Sequence, residues 1–341
     1  MRILIYTYGN HQMGMGHVFR MSNLAMFLKN RGHEIMFFVP DWEEGISKIH
    51  QDGWQPIPIL CEKFEDAATY RRHLHNLVFD CIIVDALDVD ESIMKVFREK
   101  TPLLLSFDNK GQGRVIADIL FNILYKCTPT LAAPKLEIND FRYLILHPGF
   151  SKINRKKKII PQKARKILIT QGGSDTYGVV PQLIALMPGE NQDIEYYVFI
   201  GPGFKHFREL HESLQKTTVK IHIIDNISDP WNLFFGMDLA ISAGGMTLFE
   251  LLCCGVPTIV TTREQKELET ISDISKNQVI IDLQEFDMSL NRLLVSALTD
   301  LGEDFARRKL LSVNSKKFID GRGCERISRI IENYHSKRIT S

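Results

Sequence analysis

Short, strongly apolar runs alternate along the chain with segments whose apolar residues recur at helical spacing. The first such set is ILIY at 3–6, then Met21, Leu24, Ala25 and Leu28 at positions i, i+3, i+4 and i+7, then IMFFV at 35–39. Runs this apolar are typical of parallel strands that helices cover on both faces, rather than of half-exposed hairpins. The pattern predicts strand, helix and strand in succession, the unit of a doubly wound α/β sheet.

Further apolar runs extend this rhythm in two series. The first series adds CIIVD (81–85), LLLSF (103–107) and YLIL (143–146). The second series comprises ILIT (167–170), YYVFIG (196–201), VKIHII (219–224), DLAIS (238–242) and PTIVT (257–261). We therefore predict two α/β domains, 1–155 and 156–341, an arrangement that allows the last helix to pack back on the N-terminal domain.

The segment between the two series, residues 151–165, is basic and breaks the rhythm around Pro161. It contains three consecutive lysines at 156–158. A short run of like charge in a connection between domains is usually solvated. We expect these lysines to face water and to have no function of their own.

Composition and charge exclude several classes of protein. The 341 residues include 42 Lys and Arg against 41 Asp and Glu, a net charge of +1, and 44% are hydrophobic. This balance argues against wholesale disorder and against a basic nucleic-acid-binding scaffold. No run approaches the roughly 18 apolar residues of a membrane helix, and the apolar core of MRILIYTYG is too short for a secretory signal. We expect a cytoplasmic protein.

The cysteines give the same indication about the compartment. Six are scattered along the chain without a C-x-x-C pair, at Cys61, Cys81, Cys127, Cys253, Cys254 and Cys324. Scattered cysteines suit a reducing environment better than a secreted disulfide framework. The sequence predicts free thiols and no structural zinc.

The turn after the first strand carries the first candidate chemistry. GNHQMGMGHVFR (9–20) places Gly14 and Gly16 in the turn and His17 near the start of the next helix. Phe19 stands where a dinucleotide fingerprint needs its third glycine, and no lysine follows as in a Walker A loop. Ligands bind at such carboxyl ends of strands, where an imidazole can accept a proton near neutral pH. His17 is either a general base or a residue that only satisfies the turn.

A second candidate site follows the strand DLAIS. The sequence predicts a turn of small residues at 243–245 and a helix from about Met246. The N-terminus of a helix carries partial positive charge and unpaired N–H groups, so it can hold a diphosphate without lysine or metal. Glu250, one turn into this helix, would favour the helix dipole or accept hydrogen bonds from ribose hydroxyls. The similar turn ITQGGSD (169–175) can approach the same ligand.

These motifs occur in the order found in one protein family. They are GMGHVFR, LSFDNKGQG (105–113), ITQGGSD, IIDNISDPWNLFFGMDLAISAGGMTLFELLCCGVP and DGRGCER (320–326). Over about residues 1–330 the chain resembles the PseG-type UDP-sugar hydrolases of nonulosonic acid biosynthesis, relatives of MurG-type glycosyltransferases. It is also similar to the SpsG-type spore-coat polysaccharide proteins. The resemblance implies an α/β GT-B fold, with two Rossmann-like doubly wound domains facing across a cleft.

The resemblance also implies a reaction and roles for particular residues. Water would attack the anomeric carbon of a UDP-linked amino sugar and release UDP, with no metal or other cofactor, and His17 would match the family's essential histidine. The sugar side would comprise Gly14, Gly16, Arg20, Asp108 and Gln265. The nucleotide side would comprise Gly173, Ser174, Ile224, Gly244, Gly245, Met246, Thr247 and Glu250, with the ribose on Glu250 and the uracil near Ile224.

Several alternatives stay open at this point. A GT-B glycosyltransferase would use an acceptor hydroxyl in place of water, and a catalytically idle protein would bind the nucleotide sugar only. The family's Asn-Gln pair is Glu264-Gln265 here, which changes what is bound beside the sugar. Asp108, and equally Asp85 after CIIV, would line the sugar pocket or serve a cap or turn.

Expectations about partners follow from the same sequence. We expect a nucleotide-sugar substrate, no nucleic acid and no transmembrane segment, with peripheral membrane contact left open. We expect the protein to be a monomer or a weak dimer.

Overall fold

The computed structural model describes residues 1–10, 14–60, 66–124, 134–188, 193–225, 227–286 and 291–340. The chain divides into two compact units, one of Met1–Pro148 with Arg322–Ser341 and one of Gly149–Gly321. The division falls a few residues before the boundary that the sequence predicts at 155/156.

The N-terminal unit is built on one parallel sheet of seven strands. The strands are β1 (Arg2–Thr7), β2 (Glu34–Pro40), β3 (Pro56–Ile59), β4 (Cys81–Asp85), β5 (Leu104–Phe107), β6 (Ile119–Phe121) and β7 (Leu136–Ile138). The helices between them are α1 (Gly16–Lys29), α2 (Glu43–Gln51), α3 (Ala67–His73) and α4 (Glu91–Lys100), with 3₁₀ turns at Gln112–Ile116 and Phe141–Tyr143. The spatial order is β3-β2-β1-β4-β5-β6-β7, so the winding direction reverses between β1 and β4. Loops diverge at such a switch point and leave a crevice at the carboxyl ends of the two strands.

The C-terminal unit repeats this plan with six parallel strands. They are β8 (Lys166–Thr170), β9 (Glu195–Phe199), β10 (Lys220–Ile224), β11 (Leu239–Ser242), β12 (Thr258–Thr262) and β13 (Ile281–Glu285). The helices are α5 (Pro148–Asn154), α6 (Val179–Leu186), α7 (Phe207–Lys216), α8 (Pro230–Phe235), α9 (Met246–Cys254), α10 (Gln265–Ser275), α11 (Asn291–Glu303) and α12 (Phe305–Phe318). The order β10-β9-β8-β11-β12-β13 places the switch point between β8 and β11. Helix α13 (Gly323–Thr340) belongs to the N-terminal unit.

The prediction of a strand at 143–146 is wrong. Tyr143 ends a 3₁₀ turn, and Leu144 to Leu146 are buried without joining the sheet. Helix α13 covers them: the Cys324 thiol donates to the Leu146 carbonyl at 3.8 Å, and a Cβ at Gly323 would collide with the Leu144 carbonyl. An apolar run buried under a helix has the same local pattern as a buried strand, so periodicity cannot distinguish them.

The prediction that the three lysines at 156–158 are solvated is wrong for Lys158. Its ammonium donates to the Phe235 carbonyl and, at 2.6 Å, to the Met237 carbonyl, at the end of α8. Burial lowers the pKa of Lys158 to about 8. A cation at a helix C-terminus satisfies carbonyls that have no intrahelical partner, so this lysine secures α8.

Four cysteines, Cys81, Cys253, Cys254 and Cys324, are buried free thiols, which confirms the prediction for them. Cys61 and Cys127 lie outside the described residues. Within the described residues, no helix combines the length and the apolar character needed to cross a membrane.

Candidate functional site

Glycines shape the turn that brings His17 to the carboxyl end of β1. A Cβ at Gly9 would lie 2.9 Å from the Val18 side chain, so the backbone approaches α1 closely there. Gly14 has a φ of +84° and donates its amide to the Asn10 carbonyl at 2.9 Å. A residue with a side chain is strained at that φ. Gly16 then begins α1, and His17 is its second residue.

His17 pairs with Asp85, the last residue of β4. The Nδ1 atom of His17 lies 2.7 Å from Oδ1 of Asp85, and both side chains are buried. The pairing follows from the topology, because β1 and β4 are neighbours and Thr7 stands opposite Asp85 in the register. A carboxylate at Nδ1 holds the proton on that nitrogen and leaves Nε2 as the proton acceptor. The pair has the arrangement of a general base with its orienting acid.

Arg20, one turn further along α1, holds the same carboxylate from the other side. Its Nε donates to Oδ2 of Asp85 at 2.6 Å, its Nη2 donates to Oδ1 of Asp85, and its Nη1 donates to Oδ2 of Asp108 at 2.7 Å. Burial alone would raise the pKa of Asp85, but the charge of Arg20 and the hydrogen bonds from Arg20 and His17 outweigh it and hold this pKa below its ordinary value. Asp85 is therefore ionised at neutral pH.

An aromatic wall stands beside the imidazole. The Tyr8 ring centroid lies 5.7 Å from that of His17 and 5.9 Å from that of Trp42. The Tyr8 hydroxyl accepts the Leu87 amide at 2.9 Å, and burial raises the pKa of Tyr8. Tyr8 is therefore a neutral phenol that limits the space around His17.

In the C-terminal unit, α9 begins at Met246 as predicted, directly after the Gly244-Gly245 turn at the end of β11. The structure adds an unexpected partner, Glu267 on α10. Its Oε2 accepts the Gly244 amide at 3.0 Å and the Thr262 hydroxyl at 2.7 Å. One of the N–H groups predicted to hold a diphosphate is thus occupied by an internal carboxylate. The amides of Gly245, Met246 and Thr247 lie at the start of α9, where backbone N–H groups have no acceptor within the helix.

Glu250 lies on α9, partly buried, one turn after this turn of glycines. Burial raises the pKa of its carboxyl to about 8. Desolvation disfavours the charged form of a carboxyl, so Glu250 is largely protonated at neutral pH. A protonated carboxyl both donates and accepts hydrogen bonds, which suits a pair of vicinal hydroxyls.

Replacing Glu250 with Gln should remove a pH dependence of folding. The folded state keeps a proton up to about pH 8 that the unfolded state loses above about pH 4.5. Stability of the unmodified protein therefore falls as pH rises through this window, by up to about 1.4 kcal/mol per pH unit. Urea unfolding at pH 5.5, 6.5 and 7.5 measures the free energy of unfolding of both proteins. The difference between Glu250→Gln and the unmodified protein should change with pH. Glu269→Gln, on exposed α10 surface, controls for charge, and a constant gap for Glu250→Gln would contradict the prediction.

The other glycine turn of this unit, after β8, exposes Gly173 and Ser174. The Gly173 carbonyl accepts the Gly203 amide at 2.9 Å, and a Cβ at Gly201 would lie 2.5 Å from the Gly173 Cα. The next residue, Asp175, caps α6 by accepting the amides of Val179 and Val180 at 2.8 and 2.9 Å. The turn is therefore held rigidly by its neighbours while Gly173 and Ser174 face solvent.

The remaining predicted residues lie at carboxyl ends of strands of the same sheet. Ile224 ends the edge strand β10, and its carbonyl accepts a hydrogen bond from the Ile200 amide at 3.0 Å. Gln265 is the exposed first residue of α10, directly after β12. Glu264 precedes it, and its amide donates to the Thr262 hydroxyl at 3.0 Å.

The sequence did not assign the roles of two carboxylates that the structure places centrally. Asp85 ends an apolar run, and this position is the available signal, but it is equally compatible with a pocket and a turn. Glu267 carries no local signal, because its partner Gly244 lies 23 residues away in sequence. Within the described ranges, no three His, Cys, Asp or Glu side chains form a group that could hold a metal ion.

Two known proteins resemble the chain in sequence, while no protein-family model matches it. The uncharacterized protein MJ1062 of Methanocaldococcus jannaschii is 30% identical over 329 residues, covering 88% of this chain and 66% of that protein. The spore coat polysaccharide biosynthesis protein SpsG of Bacillus subtilis is 23% identical over 346 residues, covering 99% of this chain and 100% of SpsG. The match thus leaves about a third of MJ1062 uncovered.

Solved structures establish the fold. MurG from Acinetobacter baumannii superimposes with a TM-score of 0.70 at 11% identity, over 98% of this chain and 100% of MurG. The chain has the GT-B fold. A second GT-B neighbour is UDP-GlcNAc 2-epimerase from Neisseria meningitidis, bound to UDP-GlcNAc, with a TM-score of 0.61 at 11% identity over 98% of this chain and 100% of the other. The predicted fold class, with two Rossmann-like parallel-sheet units, is confirmed.

Proposed function

We propose that the protein is a nucleotide-sugar hydrolase that cleaves a UDP-linked amino sugar into the free sugar and UDP, in surface polysaccharide or nonulosonic acid biosynthesis. The observation that carries the proposal is the His17–Asp85 pair at the switch point of the N-terminal sheet, with Nδ1 and Oδ1 2.7 Å apart. The sequence likeness to SpsG supports the pathway class. The neighbour bound to UDP-GlcNAc supports the class of ligand.

In the proposed reaction, His17 activates water. Nε2 of His17 accepts a proton as the water oxygen bonds to the anomeric carbon. The bond between that carbon and the β-phosphate oxygen breaks, and its electron pair leaves with UDP. The products are the sugar with a new anomeric hydroxyl and the UDP anion. General base catalysis of this kind contributes about 10²- to 10⁴-fold to the rate.

The C-terminal unit would bind UDP and stabilise its developing charge. The amides of Gly245, Met246 and Thr247 lie at the positive end of the α9 dipole, where fixed donors favour an anion. Fixed dipoles cost no reorganisation at the moment of bond breaking, so they stabilise the leaving group effectively. Glu250, protonated at neutral pH, would exchange hydrogen bonds with the ribose hydroxyls.

Removing the charge of Glu267 should tighten UDP binding. In Glu267→Gln the amide oxygen, placed where Oε2 was, can still accept from the Gly244 amide and the Thr262 hydroxyl, while the like charge near the diphosphate disappears. We expect the Kd for UDP, measured by calorimetry, to fall by about three- to tenfold. The repulsion between the diphosphate and one nearby like charge that is partly exposed to solvent costs roughly 1 kcal/mol of binding free energy. Glu269→Gln is the matched control on the exposed surface of α10. An unchanged or weaker affinity in Glu267→Gln would place the diphosphate elsewhere.

The direct test of the proposal uses UDP-2,4-diacetamido-trideoxyhexoses and UDP-N-acetylhexosamines with the pure protein and no acceptor. We expect UDP and free sugar to be released in equal amounts. A coupled enzymatic assay measures the UDP, and NMR measures the sugar. No release from any member of this panel, alone or with acceptors, would overturn the proposal.

A GT-B glycosyltransferase is the second candidate, favoured by the full-length likeness to a spore coat polysaccharide biosynthesis protein. In that case the same histidine would deprotonate an acceptor hydroxyl. Release of UDP only after a glycan acceptor is added would favour this candidate over the hydrolase.

A further inference from the structure

The guanidinium of Arg20 is enclosed by protein groups. Arg20 is 5% exposed. Its Nε and Nη2 both donate to the Asp85 carboxylate, and its Nη1 donates to Asp108. Nη2 also lies 3.3 Å from Nδ1 of His17. All three guanidinium nitrogens are therefore engaged beside the His17–Asp85 pair, which leaves this side chain poorly placed to contact a ligand.

Asp108 is itself anchored by backbone on its far side. Its Oδ1 accepts the amides of Ile123 and Leu124 at 2.7 and 2.8 Å, and its own amide donates to the Phe121 carbonyl at 2.7 Å. Its φ of +48° is uncommon for a residue with a side chain, although Asp and Asn tolerate it best. The surrounding bonds hold this conformation and aim the second carboxylate oxygen at Arg20.

We infer that Arg20 and Asp108 are positioning residues, which act on the reaction through Asp85 and His17 and do not contact the substrate. The inference rests on the proposed role of His17. Parallel bonds from an arginine fork fix the plane of a carboxylate. With Asp85 fixed, His17 is held in one ring orientation and in the tautomer whose Nε2 accepts a proton.

Arg20 also balances charge around the imidazole. Among the described residues, the titratable or charged side chains that contact the His17 ring are Asp85 from β4, Arg20 from α1 and Tyr8 after β1, with Asp108 reaching it through Arg20. Without Arg20, Asp85 would face the histidine, and the nearby buried carboxylate of Asp108 would lose its partner, with no compensating cation for either. Nearby negative charge favours the protonated imidazole, which cannot act as a base.

The first readout of the test needs no substrate. NMR of histidine-labelled protein, with His17 assigned by a His17→Gln variant, reports the tautomer and the protonation midpoint of the ring. We expect Nδ1–H in the unmodified protein at neutral pH, and a midpoint raised by at least about one pH unit in Arg20→Met. Arg98→Met is the matched control, because Arg98 forms a similar pair with Asp118, which precedes β6 at the amino ends of the strands; it should leave His17 unchanged.

The second readout is steady-state turnover of the active UDP-sugar. Arg20→Lys keeps the charge but loses the fork, and Asp108→Asn keeps the preference for a positive φ but loses the ion pair. Both should lower kcat by at least about tenfold while KM changes by less than about threefold, as expected for residues that act on the chemical step. These two milder variants carry the test if Arg20→Met does not fold.

The outcomes separate the inference from the proposed function. Raised KM with unchanged kcat in Arg20→Lys, and an unmoved His17 titration in Arg20→Met, would make Arg20 a substrate-binding residue and overturn the inference. The expected NMR changes, with no turnover of any UDP-sugar by any variant, would support the positioning role and reject the hydrolase.

Discussion

Replacing His17 with Gln is expected to lower kcat/KM for the UDP-sugar by about 10²- to 10⁴-fold, the contribution of a positioned general base. Glutamine keeps a polar side chain beside Asp85 but accepts no proton near neutral pH. The Kd for UDP should stay within about twofold, because binding energy for the nucleotide is assigned to α9 and its turn. Steady-state kinetics and calorimetry measure the two effects separately.

The matched control for this variant is His50→Gln. His50 lies in the same unit, near the end of α2, and its Nδ1 is 3.1 Å from the Trp54 carbonyl. Turnover should be unchanged in this variant. If His17→Gln retained at least half of the normal turnover, His17 would be only a satisfied turn residue, and the base would have to be sought elsewhere.

Replacing Asp85 with Asn should cost about as much, roughly 10³- to 10⁴-fold in kcat. An amide can turn its NH₂ group towards Nδ1 of His17, which moves the ring proton to Nε2 and removes the acceptor that water needs. The corresponding change in serine-protease triads leaves the geometry intact yet lowers kcat by about 10⁴. The same histidine NMR that reports the tautomer should show Nε2–H in Asp85→Asn.

A stability control accompanies the Asp85 variant. Asp118→Asn removes another buried carboxylate, which accepts from Lys135 at 2.6 Å and from the Leu104 amide at 2.8 Å. It should destabilise the fold without a loss of kcat in the protein that remains folded. An Asp85→Asn protein with normal kcat, or with the Nδ1–H tautomer retained, would show that the carboxylate does not orient the base.

Local patterns sufficed to predict most of the sheets. The run CIIVD at 81–85 is β4, and the turn of small residues at 243–245 leads into a helix at Met246, because strands buried on both faces and helices after glycine turns leave their signature in adjacent residues. The strand predicted at 143–146 failed because its burial comes from α13, nearly 180 residues later in the chain.

The candidate site was predictable where glycines and a histidine stand together in one turn. His17 could be selected in this way, but its partner Asp85 comes from a strand 68 residues away, and only the neighbouring position of β1 and β4 brings them together. The local sequence gives no signal for Glu267 and a misleading one for Lys158, for the same reason. Each forms its decisive bonds to backbone groups distant in sequence, Gly244 for the first and the end of α8 for the second.

In the proposed mechanism, His17 activates water for attack on the anomeric carbon of a UDP-sugar. The most direct measurement is turnover in H₂¹⁸O without acceptor, with mass spectrometry of both products at early times. We expect one ¹⁸O atom in the anomeric hydroxyl of the released sugar, none in UDP, and loss of this product in His17→Gln. Label in the β-phosphate of UDP, or unchanged label in the sugar when His17 is replaced, would contradict it.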